Sequence, residues 1–420
     1  MSNTLTGESI FLKPFSGKIV PLEELCISIT DCPHSTPNWT NEGLIVIRNF
    51  NIKNGSLDLS KPSYTDKDSF AERIKMAKPE PGDIIITREA PMGQVCIIPG
   101  GVKCCLGQRM VLIKVDTTKI SREYLLFALQ SEFVQKQIKK SDKTGSIVSN
   151  LCIPDLKSLD IPVLDNSDTI VSTLKSVVDK IALNNRINTE LEAMAKTLYD
   201  HWFVQFDFPD TNGKPYKTSG GKMVYNATLK REIPAGWTVQ TLFQIANITM
   251  GQSQVGESYN EDGVGTLFFQ GSTDFGWLFP SPRQYTTSPA RMAKKGDILL
   301  SVRAPVVDIN ITNADCCIGR GLAALNSKSH SDGFLFYVIK YFKQVFDHRN
   351  TEGTTFGSIT KDDLHSLQVV CPEPELLKRY DDIVTEYNKM IFSRSLENQD
   401  LIKLRDWLLP LLMNGQVTVK

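Results

Sequence analysis

Apolar residues recur at helical spacing along two long stretches of the chain. The first stretch, residues 169–206, contains neither Pro nor Gly and carries an apolar stripe at Leu174, Val178, Ile181, Leu191, Met194 and Leu198. This spacing predicts one uninterrupted helix, about 50 Å long at ~1.5 Å per residue. Because such a helix cannot bury its stripe on itself, we expect it to pack against a partner.

A second stripe, in the last part of the chain, supplies that partner. Its members are Leu376, Tyr380, Ile383, Tyr387, Met390, Leu401, Leu404, Leu408 and Leu411. Polar residues interrupt both stripes near the middle, at Asn185 and Asn188 in the first and at Arg394 and Glu397 in the second. The matching interruptions predict an antiparallel helix pair whose central polar residues fix the register. The alternative is that both are ordinary packing helices.

Short β-rich runs with turn signals fill the remainder, and their motifs occur twice in the same order. Gly82–Thr87 (GDIIIT) returns as Gly296–Ser301 (GDILLS), Cys104-Cys105-Leu106-Gly107 as Cys316-Cys317-Ile318-Gly319, and Asp155–Leu159 (DLKSL) as Asp363–Leu367 (DLHSL). Chance does not give several ordered matches, so the chain is predicted to contain a duplicated globule.

The predicted fold class is α+β: two similar mixed α/β domains separated by two long helices packed as an antiparallel coiled coil. We place the first globule at residues 1–167, the central helix at 168–206, an extended connector at 207–236, the second globule at 237–373 and the C-terminal helix at 374–415. Within the first globule, residues 121–140 are predicted to form one helix.

Composition excludes several classes of protein. No apolar run approaches the ~20 residues of a membrane span. The nine cysteines include no CxxC pair, and no two histidines have HxxxH spacing, so no zinc site is predicted. No GxxxxGK[ST] loop or strand-linked GxGxxG is present. We expect a cytoplasmic protein with reduced thiols and without a catalytic constellation.

Charge alone does not favour a nucleic-acid binder, because 47 basic residues balance 47 acidic ones. Charge can nevertheless be segregated onto one face. Two similar globules on a helical rod suit a double helix, in which half-sites about one turn, ~34–36 Å, apart present the same groove to the same side.

Taken together, these motifs resemble the specificity (S) subunit of Type I restriction–modification enzymes. The resemblance spans nearly the whole chain and is carried by the two Gly-Asp blocks together with Leu156–Leu164, Asn185–Pro209, Glu232–Trp237, Ile318–Leu325 and Leu404–Val417. It implies that each globule is a target recognition domain that reads one half of a bipartite DNA sequence. The helices would set the spacer and dock two modification subunits, and restriction subunits would complete the complex. S-adenosylmethionine, ATP and Mg would bind to those partners, and this chain would not be an enzyme.

Candidate DNA contacts follow from that resemblance. Contacts to bases or backbone are predicted among Arg48, Asn49, Arg88, Arg109, Gln270, Ser272, Arg303 and Arg320. Phosphate contacts are predicted at Lys136, Lys139, Lys140, Lys294 and Lys295. Arg109 and Arg320 are displaced by one place relative to the repeated Gly, which argues against equivalent roles.

Two other functions stay open at this point. One is a coiled-coil scaffold that pairs other proteins and binds no DNA, which the neutral charge allows. The other is a self-contained restriction endonuclease, against which the missing catalytic motifs argue.

Overall fold

The computed structural model describes residues 17–89, 91–141, 150–303, 306–351 and 358–417, with backbone alone for 344–351. Contacts divide the chain into two compact units. The first comprises residues up to Leu183 together with those from Asn398 onward, and the second runs from Asn184 to Glu397. Each division falls inside a long helix, so each unit contains part of both long helices.

In the part of the chain that the structure describes, the first unit contains twelve short strands and four short helices, followed by the start of a long helix. The strands are β1 (Gly17–Pro21), β2 (Cys26–Asp31), β3 (Trp39–Thr40), β4 (Leu44–Ile47), β5 (Ile52–Lys53), β6 (Ser56–Leu57), β7 (Ser63–Thr65), β8 (Ile84–Thr87), β9 (Val95–Ile97), β10 (Cys104–Leu106), β11 (Met110–Val115) and β12 (Asp160–Leu164). The helices are α1 (Lys67–Arg73), α2 (Arg122–Gln130), α3 (Glu132–Lys140), α4 (Ile153–Lys157) and the long α5 (Ser167–Tyr199).

Two four-stranded sheets form the body of this unit, in the orders β2-β11-β8-β9 and β10-β4-β7-β3. Strand β8 is buried on both faces because Ile84 and Ile86 pack towards the helices, whereas Ile85 packs towards the second sheet. Successive side chains of a strand point to opposite faces, so an uninterrupted apolar strand suits this middle layer. The apolar runs IIIT and MVLIKV predict a strand each from sequence, and the structure confirms both, at Ile84–Thr87 and Met110–Val115.

The second unit repeats this architecture. Its elements are β13 (Met223–Asn226), β14 (Arg231–Pro234), β15 (Thr238–Thr241), α6 (Leu242–Ile245), β16 (Ala246–Met250), β17 (Tyr259–Asn260), β18 (Thr266–Phe269), β19 (Gln284–Thr286), β20 (Met292–Ala293), β21 (Ile298–Ser301), β22 (Ile309–Ile311), β23 (Cys316–Ile318), β24 (Leu322–Ser327), α7 (Asp332–Thr351), α8 (Lys361–His365), β25 (Gln368–Cys371) and α9 (Pro374–Met413).

Strand pairing shows that the two units are copies. The order β16-β24-β21-β22 matches β2-β11-β8-β9, and the pair β15-β25 matches β1-β12. In each unit one parallel pair joins the repeated Cys-Cys strand to an earlier strand, β10 with β4 and β23 with β18. The predicted duplication is therefore confirmed.

The two long helices contact each other within each unit. In the first unit, Leu174 of α5 shares a core with Leu412 and Met413 of α9. In the second unit, Ala195 and Tyr199 of α5 share a core with Tyr380 and Val384 of α9. Two hydrogen bonds in the second unit give the helix direction there: Asn184 Nδ2 donates to Glu397 Oε2 at 2.8 Å and Asn188 Nδ2 to Ser395 Oγ at 3.3 Å. Residue numbers rise along one helix as they fall along the other, so α5 and α9 run antiparallel there.

The predicted stripe was wrong in part. Leu174 and Leu191 are buried, whereas Met194, Ile383, Met390 and Leu404 are exposed. Leu376 and Tyr380 are also buried. The remaining predicted positions are half-buried: Val178, Ile181, Leu198, Tyr387, Leu401, Leu408 and Leu411. The predicted polar pair Asn185 and Asn188 is also shifted, since Asn184 and Asn188 are the buried amides, at 0% and 1% exposure. Apolar residues also lie on the helix faces beside the buried one, so the spacing in the sequence did not decide which face is buried.

Two further local predictions need correction. Residues 121–140 form two helices, because the buried Ser131 has extended backbone and its hydroxyl accepts a hydrogen bond from the Val134 N–H at 3.4 Å, which starts a new helix. The predicted extended connector contains the antiparallel β13–β14 hairpin. Phe208, near its start, stacks on Trp237 with ring centroids 5.0 Å apart. Among the described residues, no helix is long and apolar enough to cross a membrane.

Candidate nucleic-acid interface

Both units expose a surface where their two parallel strands end. Gly107 follows β10 and its N–H donates to Ile47 O of β4 at 2.7 Å; Gly319 follows β23 and its N–H donates to Phe269 O of β18 at 2.8 Å. We call the residues that follow these strand ends, together with the residue two places after β8 or β21, the strand-end surface. In the first unit it comprises Arg48, Asn49, Glu89, Gln108 and Arg109, and in the second Gln270, Ser272, Arg303 and Arg320.

Arg48 dominates this surface in the first unit. It is exposed, and its guanidinium carbon lies 5.0 Å from the centroid of Trp39 and 4.9 Å from that of Phe50. Both rings are themselves exposed, at 44% and 46%. Cation–π contact with two rings holds the charged group in place at the surface. The sequence prediction missed both aromatics: Phe50 is a sequence neighbour of Arg48, but Trp39 reaches it only through the pairing of β3 with β7.

Glu89 organises the rest of the first strand-end surface. Its carboxylate lies 3.0 Å from Arg109 Nε, and its backbone oxygen accepts a hydrogen bond from Asn49 Nδ2 at 2.5 Å. Arg109 adopts a φ of 67°, a left-handed conformation that is uncommon outside glycine. Gln108 lies beside it and donates to His34 O at 2.6 Å. Three predicted residues, Arg48, Asn49 and Arg109, are thus brought together.

Arg88 has a different role from the one predicted. Its side chain is only 11% exposed. It donates to Asp31 Oδ2 at 2.5 Å, to Leu151 O at 2.9 Å and to Asn150 Oδ1 at 3.2 Å. A guanidinium held in this way braces three segments of the unit, so the prediction that Arg88 contacts DNA conflicts with its burial.

The predicted phosphate lysines of the first unit lie on the outer face of α3. Lys136, Lys139 and Lys140 are exposed, and Lys136 also pairs with Glu132 at 2.7 Å. The inner face packs against the turn between β8 and β9, where Gln135 Nε2 donates to Gly93 O at 2.9 Å. That same turn carries Glu89, so α3 adjoins the segment that forms the strand-end surface.

The strand register places different side chains at equivalent positions of the second unit. Ile47 pairs with Leu106 and Phe269 with Ile318, which makes Gln270 the counterpart of Arg48. By the same register Arg320 corresponds to Gln108 and Gly321 to Arg109, because Met110 and Leu322 begin equivalent strands. Thr87 and Ser301 are equivalent too, so Arg303 stands where the first unit has Glu89. The expectation that Arg109 and Arg320 differ in role agrees with this register.

Gln270, Arg303 and Arg320 are exposed at the strand ends of the second unit, and Ser272 is half-buried in the turn that follows β18. Lys294 and Lys295 are not with them. They lie in the turn that precedes β21, at the opposite end of that strand from Arg303, and Lys295 Nζ lies 5.5 Å from the centroid of Phe392 on α9. The structure thus places these two lysines away from the strand-end surface, and their predicted contact with phosphates stays a prediction.

Glycine allows the close approach of the backbones at both strand ends. A Cβ at Gly107 would lie 2.7 Å from Ile47 O, and one at Gly319 would lie 2.8 Å from Gln270 Cα. Real Cβ atoms do not approach backbone so closely, so any other residue would displace the strand end that carries Arg48 or Gln270. The scaffold is thus fixed where the exposed side chains differ.

Among the described residues no group of His, Cys, Asp and Glu could hold a metal ion. Burial raises the pKa of the Cys96 and Cys104 thiols to about 12 and that of Cys316 to about 11. Protonated, buried thiols are poor nucleophiles and poor ligands, so these cysteines act as small apolar core residues.

Comparison with known proteins agrees with this geometry. The model of the type I restriction modification DNA specificity domain matches residues 18–193 and again 234–391. The protein named as the type I restriction enzyme MjaX specificity subunit of Methanocaldococcus jannaschii is 31% identical over 389 residues, 90% of this chain and 88% of that protein. The MjaIX specificity subunit of the same organism is 23% identical, over 81% of this chain and 78% of its own length.

A solved structure shares the fold. The S subunit of a type I restriction-modification system from M. genitalium superposes with a TM-score of 0.53 at 16% identity, covering 94% of this chain and 96% of that one. With two matched copies of the domain and a relative similar along most of its length, the chain belongs to the type I restriction-modification DNA specificity domain family.

Proposed function

We propose that this chain is the DNA-specificity subunit of a type I restriction-modification complex, with each unit reading one half of a bipartite target. The chain contributes recognition and no catalysis. S-adenosylmethionine, ATP and Mg belong to its partners, which are two modification subunits and the restriction subunits of the full complex. The complex acts on double-stranded DNA in the cytoplasm.

One observation carries this proposal: the two units share a scaffold and differ in the polar side chains at the same strand-end surface. Arg48, Gln108 and Arg109 stand where the second unit has Gln270, Arg320 and Gly321. Hydrogen-bonding side chains at base edges distinguish one sequence from another, whereas backbone contacts only position the protein. A fixed frame with exchanged donors and acceptors therefore suits the reading of two different half-sites.

The long helices have a second part in the proposal. We assign α5 and α9 to an antiparallel coiled coil that sets the length of the nonspecific spacer and docks the modification subunits. The antiparallel hydrogen bonds from Asn184 to Glu397 and from Asn188 to Ser395 support this assignment. Buried polar pairs of this kind fix the register of a helix pair at some cost in stability.

Methylation mapping of the assembled complex tests the proposal. The chain is co-expressed with its modification subunit, and methylated adenines are mapped across the host genome. We expect one split motif, with two defined half-sites at a constant separation. A continuous motif would contradict the assignment of one half-site to each unit.

The two alternative functions predict other results. A scaffold that binds no DNA would give no sequence-selective gel shift even with the modification subunit present. A self-contained endonuclease would cleave plasmid DNA with magnesium alone. Without its partners, the specificity subunit is expected neither to cleave plasmid DNA nor to give a sequence-selective gel shift. With its modification subunit present, it is expected to give a sequence-selective gel shift.

A further inference from the structure

The residue that directly follows the inner parallel strand is Arg48 in the first unit and Gln270 in the second. Both residues are exposed. In each unit the backbone just before this residue accepts a hydrogen bond from a glycine N–H. Gly107 donates to Ile47 O at 2.7 Å, and Gly319 donates to Phe269 O at 2.8 Å. The two side chains thus leave equivalent backbone positions, and only their chemistry differs.

Arg48 is prepared for a ligand that accepts hydrogen bonds. Contact with Trp39 and Phe50 restrains the guanidinium, and among the described residues no carboxylate forms an ion pair with it. Its neighbours Arg88 and Arg109, in contrast, pair with Asp31 and Glu89. A fixed guanidinium with uncommitted N–H donors matches the O6 and N7 acceptors that guanine presents in the major groove.

Gln270 presents a different pattern of donors and acceptors from the same position. Its backbone oxygen accepts a hydrogen bond from the Gly321 N–H at 3.2 Å, while its side-chain amide is exposed. An amide has one donating and one accepting end, which match the N7 acceptor and N6 donor of adenine. Guanine, with two adjacent acceptors at that edge, does not satisfy the amide oxygen.

We propose that Arg48 reads a guanine in one half-site and that Gln270 reads an adenine at the corresponding place in the other. This inference rests on the proposed function and adds the identity of one base to each half-site. The two units then read DNA from the same backbone position, and the difference between arginine and glutamine there gives them different base specificities.

The test uses the full chain co-expressed with its modification subunit and compares methylated motifs. Wild-type protein is expected to give a split motif with a required guanine in one half and a required adenine in the other. Arg48→Gln should remove the guanine requirement from its half-site, lower methylation of the original motif about tenfold to a hundredfold and leave the other half unchanged. Gln270→Arg should change only the adenine in the other half.

Two further variants separate base reading from folding and from charge. Arg48→Lys keeps the positive charge but loses the forked donors, so discrimination for guanine should fall as in Arg48→Gln. Arg122→Gln changes another exposed arginine of the same unit, at the start of α2, and should leave motif and methylation level unchanged. Thermal unfolding of each purified variant verifies that it is folded.

The outcomes distinguish this inference from the proposed function. If Arg48→Gln and Arg48→Lys retain the original split motif at wild-type levels, the base assignment is overturned while the specificity function stands. The same holds if neither half-site of the wild type contains a required guanine. If the wild type shows no split motif, the proposed function itself fails.

Discussion

Tyr124 marks a place where the cores of the two units differ in their hydrogen bonds. Its side chain is wholly buried on α2, and its hydroxyl donates to Pro162 O at 3.0 Å and accepts from the Leu164 N–H at 3.1 Å. The equivalent position of the second unit is Phe334, and the register of β25 puts Pro372 where the first unit has Leu164. Proline has no N–H, so the second unit needs no hydroxyl there.

Tyr124→Phe should therefore destabilise the first unit. The substitution removes two buried hydrogen bonds, each worth about 1 kcal/mol, and leaves the Leu164 N–H without its acceptor. We expect the free energy of unfolding to fall by about 2 kcal/mol, which corresponds to a Tm lower by roughly 4–8 °C in a domain of this size class.

Tyr380→Phe is the matched control. Tyr380 is also wholly buried, but its hydroxyl has no hydrogen-bond partner among the described residues. Removal of this hydroxyl should leave the second unit unchanged or stabilise it by about 1 kcal/mol. The two variants thus lose the same atom, but only Tyr124→Phe is expected to lower the free energy of unfolding.

Calorimetry that resolves both unfolding transitions measures these changes, and hydrogen exchange of the peptide containing Leu164 locates them. Faster exchange at Leu164 should accompany the lower Tm in Tyr124→Phe. A Tm within about 1 °C of wild type, with unchanged exchange, would refute the claim that the two hydrogen bonds of the Tyr124 hydroxyl stabilise the first unit.

Three other substitutions test separate parts of the structure. Arg88→Ala should lower the free energy of unfolding by about 2–3 kcal/mol in urea denaturation, since it removes the hydrogen bonds to Asp31, Asn150 and Leu151, yet keep the methylated motif; an altered motif at unchanged stability would instead support a DNA contact. Asn188→Leu should leave stability unchanged or raise it by about 1 kcal/mol while the motif spacer becomes heterogeneous, because a register-fixing amide is lost; a single spacer length would argue against that role. Gly319→Ala should abolish recognition of one half-site, whereas Gly271→Ala, with no atom within 4 Å of the added Cβ, should not; equal effects of both would contradict the steric reasoning.

Local sequence patterns were sufficient to predict the frame of each copy. Strands such as Ile84–Thr87 are apolar throughout because two layers cover them, and a repeated Gly-Asp turn precedes them in both units. Apolar runs, turn motifs and helical spacing can each be recognised within a short stretch of sequence, so the duplication and the two long helices could be predicted. The helical phase could not, since Met194 and Ala195 are both apolar and only the packed partner decides which is buried.

The candidate site depended on contacts between distant segments and was predicted only in part. Arg48 and Gln270 were named among the DNA contacts that follow from the family resemblance, and the structure leaves both exposed directly after a strand. The burial of Arg88 depends on Asp31 and Leu151, and the location of Lys295 on Phe392, and neither contact leaves a trace in local sequence. Polar residues near strand ends can be found by pattern, whereas their roles require tertiary structure.

The discontinuity of the first unit bears on how the chain matures. Leu412 and Met413 complete the core around Leu174, although more than half of the chain separates them in sequence. During synthesis the second unit, being contiguous from Asn184 to Glu397, can close as soon as it leaves the ribosome. In the first unit, the apolar residues around Leu174 instead stay uncovered until Leu412 and Met413 of α9 have been synthesised. A nascent chain stalled before Leu412 is therefore the form most exposed to proteases and to aggregation, even though most of its first unit has already been made.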